Sequence, residues 1–154
     1  PGSNYFSILE PMLMKLQPHI VSEIVADDPV RPHISAIWRT RSGREVYGLY
    51  QDESAENLRA VICVAYTDEV PTCERDLGWP GTDVAVFYTV WSYDKGAGRD
   101  IVNSVAEHIK KTNPDIKRYV TLSPLTEMAE RFHLRNGAKF IGKHIACQNF
   151  EYTL

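Results

Sequence analysis

Two glycines two positions apart, with a lysine before them and an arginine after, are the residues whose types and spacing point most directly to chemistry. They lie in Ser92-Tyr93-Asp94-Lys95-Gly96-Ala97-Gly98-Arg99. The apolar run Val84 to Trp91 precedes this stretch, and a helical pattern from Arg99 to Thr112 comes after it. Strand, glycine turn, helix is an order that aims backbone N–H groups at an anion. The first N–H groups of a helix have no partner inside the helix, and the helix dipole adds positive potential there. Glycines remove the Cβ atoms that would keep a phosphate away from the backbone. Lys95 and Arg99 add charge on either side. The same pattern also serves as a tight turn with no ligand. No Gly-Lys-Ser/Thr ending is present, so the stretch is not a Walker loop. Ile101 stands where a dinucleotide fingerprint needs a third small residue, and Tyr119 to Ser123 lacks the acidic residue that fingerprint needs. A phosphate or pyrophosphate of some other ligand remains. On this reading a side chain at Gly98 would fill the phosphate's space, so Gly98→Val should cost affinity and leave folding largely intact.

The elements that must position this loop are set by periodicity and punctuation. Residues 6 to 26 carry apolar positions at helical spacing, and Pro11 and Pro18 divide them into short helices or a kinked one. Asp27 to His33 is a loop by its prolines and charges, read first as a solvated linker and second as a lining of a substrate site. Ile34 to Thr40, Glu45 to Gln51 and Leu58 to Thr67 read as three strands joined by polar turns, an antiparallel meander. Asp68 to Thr82 is long for an unstructured connection. Its Trp79 is expected to tuck under the loop rather than sit at a binding edge. Val84 to Trp91 is apolar on both alternating faces and should be a central strand. Ile101, Val102, Val105 and Ile109 form the buried stripe of the next helix. Ile116 to Leu122 is a strand. Ser123-Pro124 reads as a helix N-cap followed by proline, and Asn136-Gly137 as that helix's C-terminus. Ala138 to His144 and Ile145 to Tyr152 close the chain as two strands.

Composition bounds the function classes. The chain has 154 residues and a formal charge of −3, which gives no global pull toward nucleic acid or an anionic membrane. Cys63, Cys73 and Cys147 are odd in number and widely spaced, so neither a disulfide framework nor a metal site is expected. With no visible secretory signal or membrane span, a cytoplasmic location is the simplest expectation. Pro1-Gly2-Ser3 is read as a remnant of expression, and residues 4–154 as a single domain.

The order from Val84 onward is strand, glycine loop, helix, strand, helix, strand, strand. It resembles the GNAT superfamily of acyl-CoA-dependent N-acyltransferases. Tyr93-Asp94-Lys95-Gly96-Ala97-Gly98 matches that family's Arg/Gln-x-x-Gly-x-Gly/Ala loop, with Tyr93 in place of the leading Arg or Gln. Thr126-Glu127-Met128-Ala129-Glu130-Arg131-Phe132-His133, with Gly137-Ala138 after it, matches its later helix Asn-x-x-Ala-x-x-Phe/Leu-Tyr. There Thr126 replaces Asn, and His133 stands where a tyrosine general acid often sits. Thr121-Leu122-Ser123-Pro124 is similar to the Ser-Leu-Ser-Pro stretch of malonyl-CoA decarboxylase, whose catalytic domain is a relative of the same fold. Residues Val120 to Ala138 also resemble small GNAT-like proteins of marine phages.

The resemblance implies a mixed, mostly antiparallel α/β sheet with helices on both faces and a parallel strand pair that splays at its C-terminal ends. It implies that Lys95, Gly96, Ala97, Gly98 and Arg99 hold the pyrophosphate of acetyl-CoA, a cosubstrate. The backbone of Phe87, Tyr88, Thr89 and Val90 would pair with the pantetheine arm and polarise the thioester carbonyl. The side chain of Tyr88 faces either the site or the core, with the core favoured. His133 is the candidate acid for the leaving thiolate, against a surface or capping role. Ser123 is the other candidate, against its N-cap role, which is favoured. Glu74, Asp76 and Asp83 are the candidate bases. The leading function is N-acetyl transfer to an amine, on a small molecule or a protein. A decarboxylase or hydrolase of CoA thioesters and a non-catalytic CoA-binding or assembly protein are the alternatives. No nucleic acid, membrane or metal is expected, and a homodimer fits the class.

Overall fold

The computed structural model describes residues 12–154. Eight strands form one sheet in the order β1-β2-β3-β4-β5-β8-β6, with β7 paired to β8. They are β1 (Met12–Lys15), β2 (Arg44–Tyr50), β3 (Leu58–Thr67), β4 (Val84–Ser92), β5 (Arg118–Thr121), β6 (Ser123–Pro124), β7 (Lys139–Lys143) and β8 (Cys147–Tyr152). Four helices join them: α1 (Pro18–Ile24), α2 (Ala36–Thr40), α3 (Ala97–Thr112) and α4 (Glu127–Arg135). Among the described residues no helix is long and apolar enough to cross a membrane. The β4–β5 pair is parallel and every other pairing is antiparallel.

Strand β4 is central because its residues are apolar on both faces, and both faces are covered. On one side Phe87 packs with Ile62, Val64 and the α3 stripe of Ile101, Val102, Val105 and Ile109. On the other, Val86 and Tyr88 pack with Val61, Cys63, Val21 of α1 and Ala36 of α2. Tyr88 is therefore a core side chain, its ring edge-on to Trp38.

Four expectations are corrected in the part of the chain before β4. The meander's opening strand is Met12–Lys15, paired in register Met12↔Tyr50, and only Pro18–Ile24 of the apolar region is α-helical. Pro18 opens that helix, where its missing N–H costs nothing. The part of that reading before residue 12 lies outside the described residues. Ile34 to Thr40 is not a strand: Ser35 caps a one-turn helix by accepting from the Trp38 N–H at 3.2 Å. The β-branched Ile34, Ile37 and Thr40 signal a strand, but Arg39 decides otherwise by turning inward to a buried carboxylate. Trp79 is 70% exposed rather than tucked, because the 3-10 turn Glu74–Gly78 buries Leu77 in its place.

That carboxylate is Asp28, which is 2% exposed. Asp28 Oδ2 accepts from Arg39 Nη1 at 2.7 Å, and Oδ1 accepts from the N–H groups of Val30 and Arg31 and from the Thr89 hydroxyl. Arg39, fully buried, also donates to the carbonyls of Ile34 and Arg31. Burial would raise the Asp28 pKa, but the donors from Arg31, Arg39, Val30 and Thr89 outweigh it and hold the carboxyl below its usual range. The stretch Asp27 to His33 is thus a pinned segment bolted to β4, and not a solvated linker.

The other half is corrected at Ser123-Pro124. These residues form the short strand β6 against Cys147 and Gln148, and α4 begins at Glu127 with Thr126 as its cap. Ser123-Pro124 is a generic cap signature, but the Gln148 amide takes the Pro124 carbonyl and strand pairing wins. The helix ends as expected at Asn136-Gly137, where Gly137 has φ +96.

Asp28→Asn leaves the Arg39 charge buried without its counter-charge, and a loss of about 3–5 kcal/mol of stability is expected in denaturant unfolding at pH 7. Because the folded pKa lies below the unfolded 3.8, the stabilisation is complete above that value and is lost as the pH falls through the folded pKa. The gap between native chain and variant should therefore narrow only below about pH 4. A gap that closes between pH 6 and 8 would assign it to another group.

Candidate active site

The parallel pair is where the sheet opens. Strands β4 and β5 run in register from Val84↔Arg118 to Phe87↔Thr121, and the Leu122 N–H still reaches the Phe87 carbonyl at 3.2 Å. Beyond Phe87 the chain after β5 turns away, and β6 pairs with β8 instead. Residues Tyr88 to Ser92 of β4 are left with no strand partner on that edge. At the same point β4 bulges against β3: Cys63 pairs with Thr89 and Val64 with Phe87, so Tyr88 is the extra residue. A bulge re-aims backbone groups. Here the Tyr88 carbonyl accepts from Arg31 Nη1. The side chains of Phe87, Tyr88 and Thr89 are buried and Val90 is half-buried. Only the strand's free backbone edge is therefore open to a ligand.

The glycine loop sits at the end of this free edge. Gly96 has φ +82 and caps α3, in the left-handed region that favours glycine. The Ala97 N–H returns to the Asp94 carbonyl and the Asp100 N–H to the Gly96 carbonyl. The N–H groups of Gly98 and Arg99 have no backbone acceptor among the described residues. Lys95 and Arg99 are exposed beside them. Asp94 and Asp100 are both held by Arg59, at 3.3 and 3.5 Å, which limits their opposition to an anion. Tyr93, at the family's Arg/Gln position, turns toward Asp27: its hydroxyl donates to Asp27 Oδ2 and accepts from Trp91 Nε1.

The missing side chain of Gly98 has a packing reason beside the one expected. It is buried, its φ is not positive, and a Cβ there would lie 3.0 Å from Phe132 Cε1 of α4. Its lack of a side chain lets α3 and α4 meet. Gly96, with open space around it, is the glycine whose surroundings leave room for a ligand.

His133 is buried, stacked on Phe150, with Nδ1 at 2.8 Å from the Tyr152 hydroxyl. Its Nε2 makes no hydrogen bond to any described residue. It is thus neither a surface nor a capping histidine. Burial lowers its pKa to about 4, so at neutral pH the ring is uncharged. Ser123 is also buried, its hydroxyl 2.8 Å from that of Thr121, which in turn accepts from the Phe150 N–H. Ser123 and His133 share no hydrogen bond.

Of the three acidic candidates, the structure brings one to the opening. Glu74 Oε1 accepts from Arg31 Nε at 3.0 Å, and its Oε2 lies 2.8 Å from His33 Nε2. Asp76 caps its own turn through Thr72, and Asp83 lies at the N-terminal end of β4 beside Lys117. Arg31 and Glu74 line a cavity of about 820 Å³ with Val30, Pro124, Ile145 and Cys147. It is bounded by the α1–α2 segment, the β3–β4 loop, β6 and the β7–β8 hairpin, the four segments that surround the splay. Sequence reading missed Arg31 and Asn149. Asn149 donates to the carbonyls of Pro71 and Thr121 and so ties the β3–β4 loop to β5. The paired prolines around Arg31 were the one signal for the first; nothing marked the second.

Gly98→Val should destabilise the chain by about 1–3 kcal/mol, as overpacking does. A lower melting temperature is the expected result. An unchanged one with weaker ligand binding would return Gly98 to the phosphate role.

No family model matches the sequence, and no curated protein does. Solved structures do resemble the fold. Malonyl-CoA decarboxylase from Agrobacterium vitis superposes with a TM-score of 0.72 at 16% identity, over 94% of this chain and 60% of that one. Its counterpart from Rhodopseudomonas palustris gives 0.71 at 17%, over 99% of this chain and 62% of that one. The chain thus spans about 60% of the length of these decarboxylases. The N-acetyltransferase PseH from Campylobacter jejuni gives 0.62 at 11%, over 93% of this chain and 97% of that one. These superpositions extend over nearly the whole chain, so the mixed sheet with its parallel β4–β5 pair and flanking helices is an overall fold held in common. The chain has the GNAT fold.

Proposed function

We propose that the chain binds acetyl-CoA across the opening between β4 and β5 and transfers the acetyl group to an amine. The observation that carries this reading is a set of three features, two along β4 and its following turn and the third joined to β4 through Arg31 on the Tyr88 carbonyl. They are the unpaired edge of β4, the open first turn of α3, and a cavity with a carboxylate on its rim. The N–H groups of Gly98 and Arg99, with Lys95 and Arg99, would take the pyrophosphate. The free edge from Tyr88 to Val90 would take the pantetheine amides, and a backbone N–H there would polarise the thioester carbonyl. Glu74 would accept the proton of the incoming ammonium. The amine nitrogen then attacks the carbonyl carbon, the C–S bond breaks, and the nitrogen's second proton passes to the departing thiolate, leaving the amide and the CoA thiol. His133 would donate a hydrogen bond to that sulfur from its neutral ring.

A second reading is decarboxylation of a malonyl-type CoA thioester. Two of the decarboxylases favour it with TM-scores of 0.72 and 0.71 against 0.62 for PseH, while a third, from Cupriavidus metallidurans, gives 0.56. The buried Ser123 at the start of β6 also favours it.

Calorimetry with acetyl-CoA and a mass-shift assay over an amine panel test the first reading; release of CO2 from malonyl-CoA tests the second. Binding with a gain of about 42 Da on an amine, the mass of an added acetyl group, is the expected result. Absence of heat with CoA and acetyl-CoA at millimolar concentration removes both readings.

His133→Phe should lower kcat by about a hundredfold with little change in the Kd for CoA, if the ring assists the departing sulfur. Its low pKa adds a check: the kcat profile of the native enzyme should show no ionisation near pH 6.5 that the variant lacks. Unchanged turnover in a folded variant leaves His133 as packing for Phe150.

A further inference from the structure

Arg31 is a cation at the floor of the cavity with donors to spare. Its side chain is 3% exposed. Nε goes to Glu74 and Nη1 to the Tyr88 carbonyl, and no other oxygen acceptor is recorded among the described residues. A guanidinium has five N–H donors. The remaining three have no hydrogen-bond partner among the described residues, and Arg31 lines the cavity together with Cys147. Glu74 does not exhaust this charge. It is 41% exposed, contacts Arg31 through one oxygen, and offers the other to His33. The rest of the wall includes Val30, Pro124, Ile145 and Ala146, which present no competing charge. Arg31 is also held in place before any ligand arrives, because Asp28 takes its N–H and Arg39 takes its carbonyl.

A fixed, largely buried guanidinium with unused donors, in a cavity whose lining adds Glu74, Thr72 and His144 to mostly apolar side chains, matches a planar anion that accepts two hydrogen bonds. We propose that Arg31 selects a carboxylate on the group delivered into this cavity. The inference rests on the CoA-thioester reading for what brings that group there. The carboxylate has two sources. It belongs either to the acceptor, which is then an amino acid whose ammonium faces Glu74 while its carboxylate meets Arg31, or to the acyl chain of a malonyl-type thioester. A simple alkylamine with acetyl-CoA leaves the donors unmatched, and buried donors left without a partner are what makes such a site discriminate strongly.

The native protein tests this without any variant. Calorimetry or initial rates compare phenylalanine with phenethylamine and glutamate with 4-aminobutyrate, at saturating acetyl-CoA. A parallel arm compares the Kd of malonyl-CoA with that of acetyl-CoA. A preference of tenfold or more for the α-carboxylated member in the first arm assigns the carboxylate to the acceptor. The same preference in the second arm assigns it to the acyl chain. A preference below tenfold in both arms overturns the proposal. Arg31→Gln should bring the preferred ratio toward one, and Arg31→Lys, which keeps the charge and loses the fork, should fall between. A ratio unchanged in a folded Arg31→Gln chain also overturns it. If acetyl-CoA does not bind at all, the proposed function fails on its own, and the amino-acid comparison is still read by calorimetry without CoA.

Discussion

The site depends on the buried pair of Asp28 and Arg39. Asp28 gathers donors from its own loop, from α2 and from β4, and Arg39 returns donors to two carbonyls of that loop. An ion pair this deep is weak evidence for net stability, since desolvation offsets much of the attraction. Its effect here is geometric. It clamps the segment between α1 and α2 onto β4 at Thr89, one residue past the bulge. The Arg31 side chain is thereby delivered to the Tyr88 carbonyl, where β4 loses its neighbour. Two hydrophobic residues of similar volume could fill the space, but they would not fix the register of a proline-rich loop against a strand.

The opening itself comes from a competition for strand partners. Strand β5 keeps β4 for four residues and then yields. The chain beyond Leu122 is claimed by β8, through the pairing of Ser123 and Pro124 and through the Asn149 amide on the Thr121 carbonyl. Unpaired strand edges are a liability unless covered or used. This one is flanked by a charged loop and ends beside the residues that carry Arg31 to the Tyr88 carbonyl.

Long periodic segments were legible in the sequence. Strands β3 and β4 and helix α3 lie where their patterns place them, because each buries enough apolar surface to decide its own state. Short segments were not. Ile34 to Thr40 has strand composition, and its helix rests on Ser35 and on a carboxylate 11 residues earlier. The cap signature at Ser123 misleads because strand pairing outranks a local signal. The loop at Gly96 was legible as a helix start. The packing duty of Gly98 was not, because Phe132 is distant in sequence. Glu74 could be named among three acids but not chosen, since the choice is made by Arg31, 43 residues away.

The environments of Glu74 and His133 divide the proton chemistry in a way that bears on both readings. Glu74 sits on the rim, part-exposed, between Arg31 and His33. His133 sits inside, neutral, with one nitrogen committed to Tyr152. A charged imidazolium is therefore not the resting donor. An alkyl thiolate does not require one: free thiols have pKa values of about 8.5, so the sulfur leaves with little need of full protonation. A hydrogen bond from a neutral ring is then sufficient assistance. In decarboxylation the balance shifts further, because the carbanion's charge collects on the thioester oxygen, and a backbone N–H on the free edge of β4 matters more than any acid. Both reactions thus ask the same thing of this fold: a polarised thioester carbonyl at an unpaired strand edge. What separates them is the group that the cavity holds against Arg31.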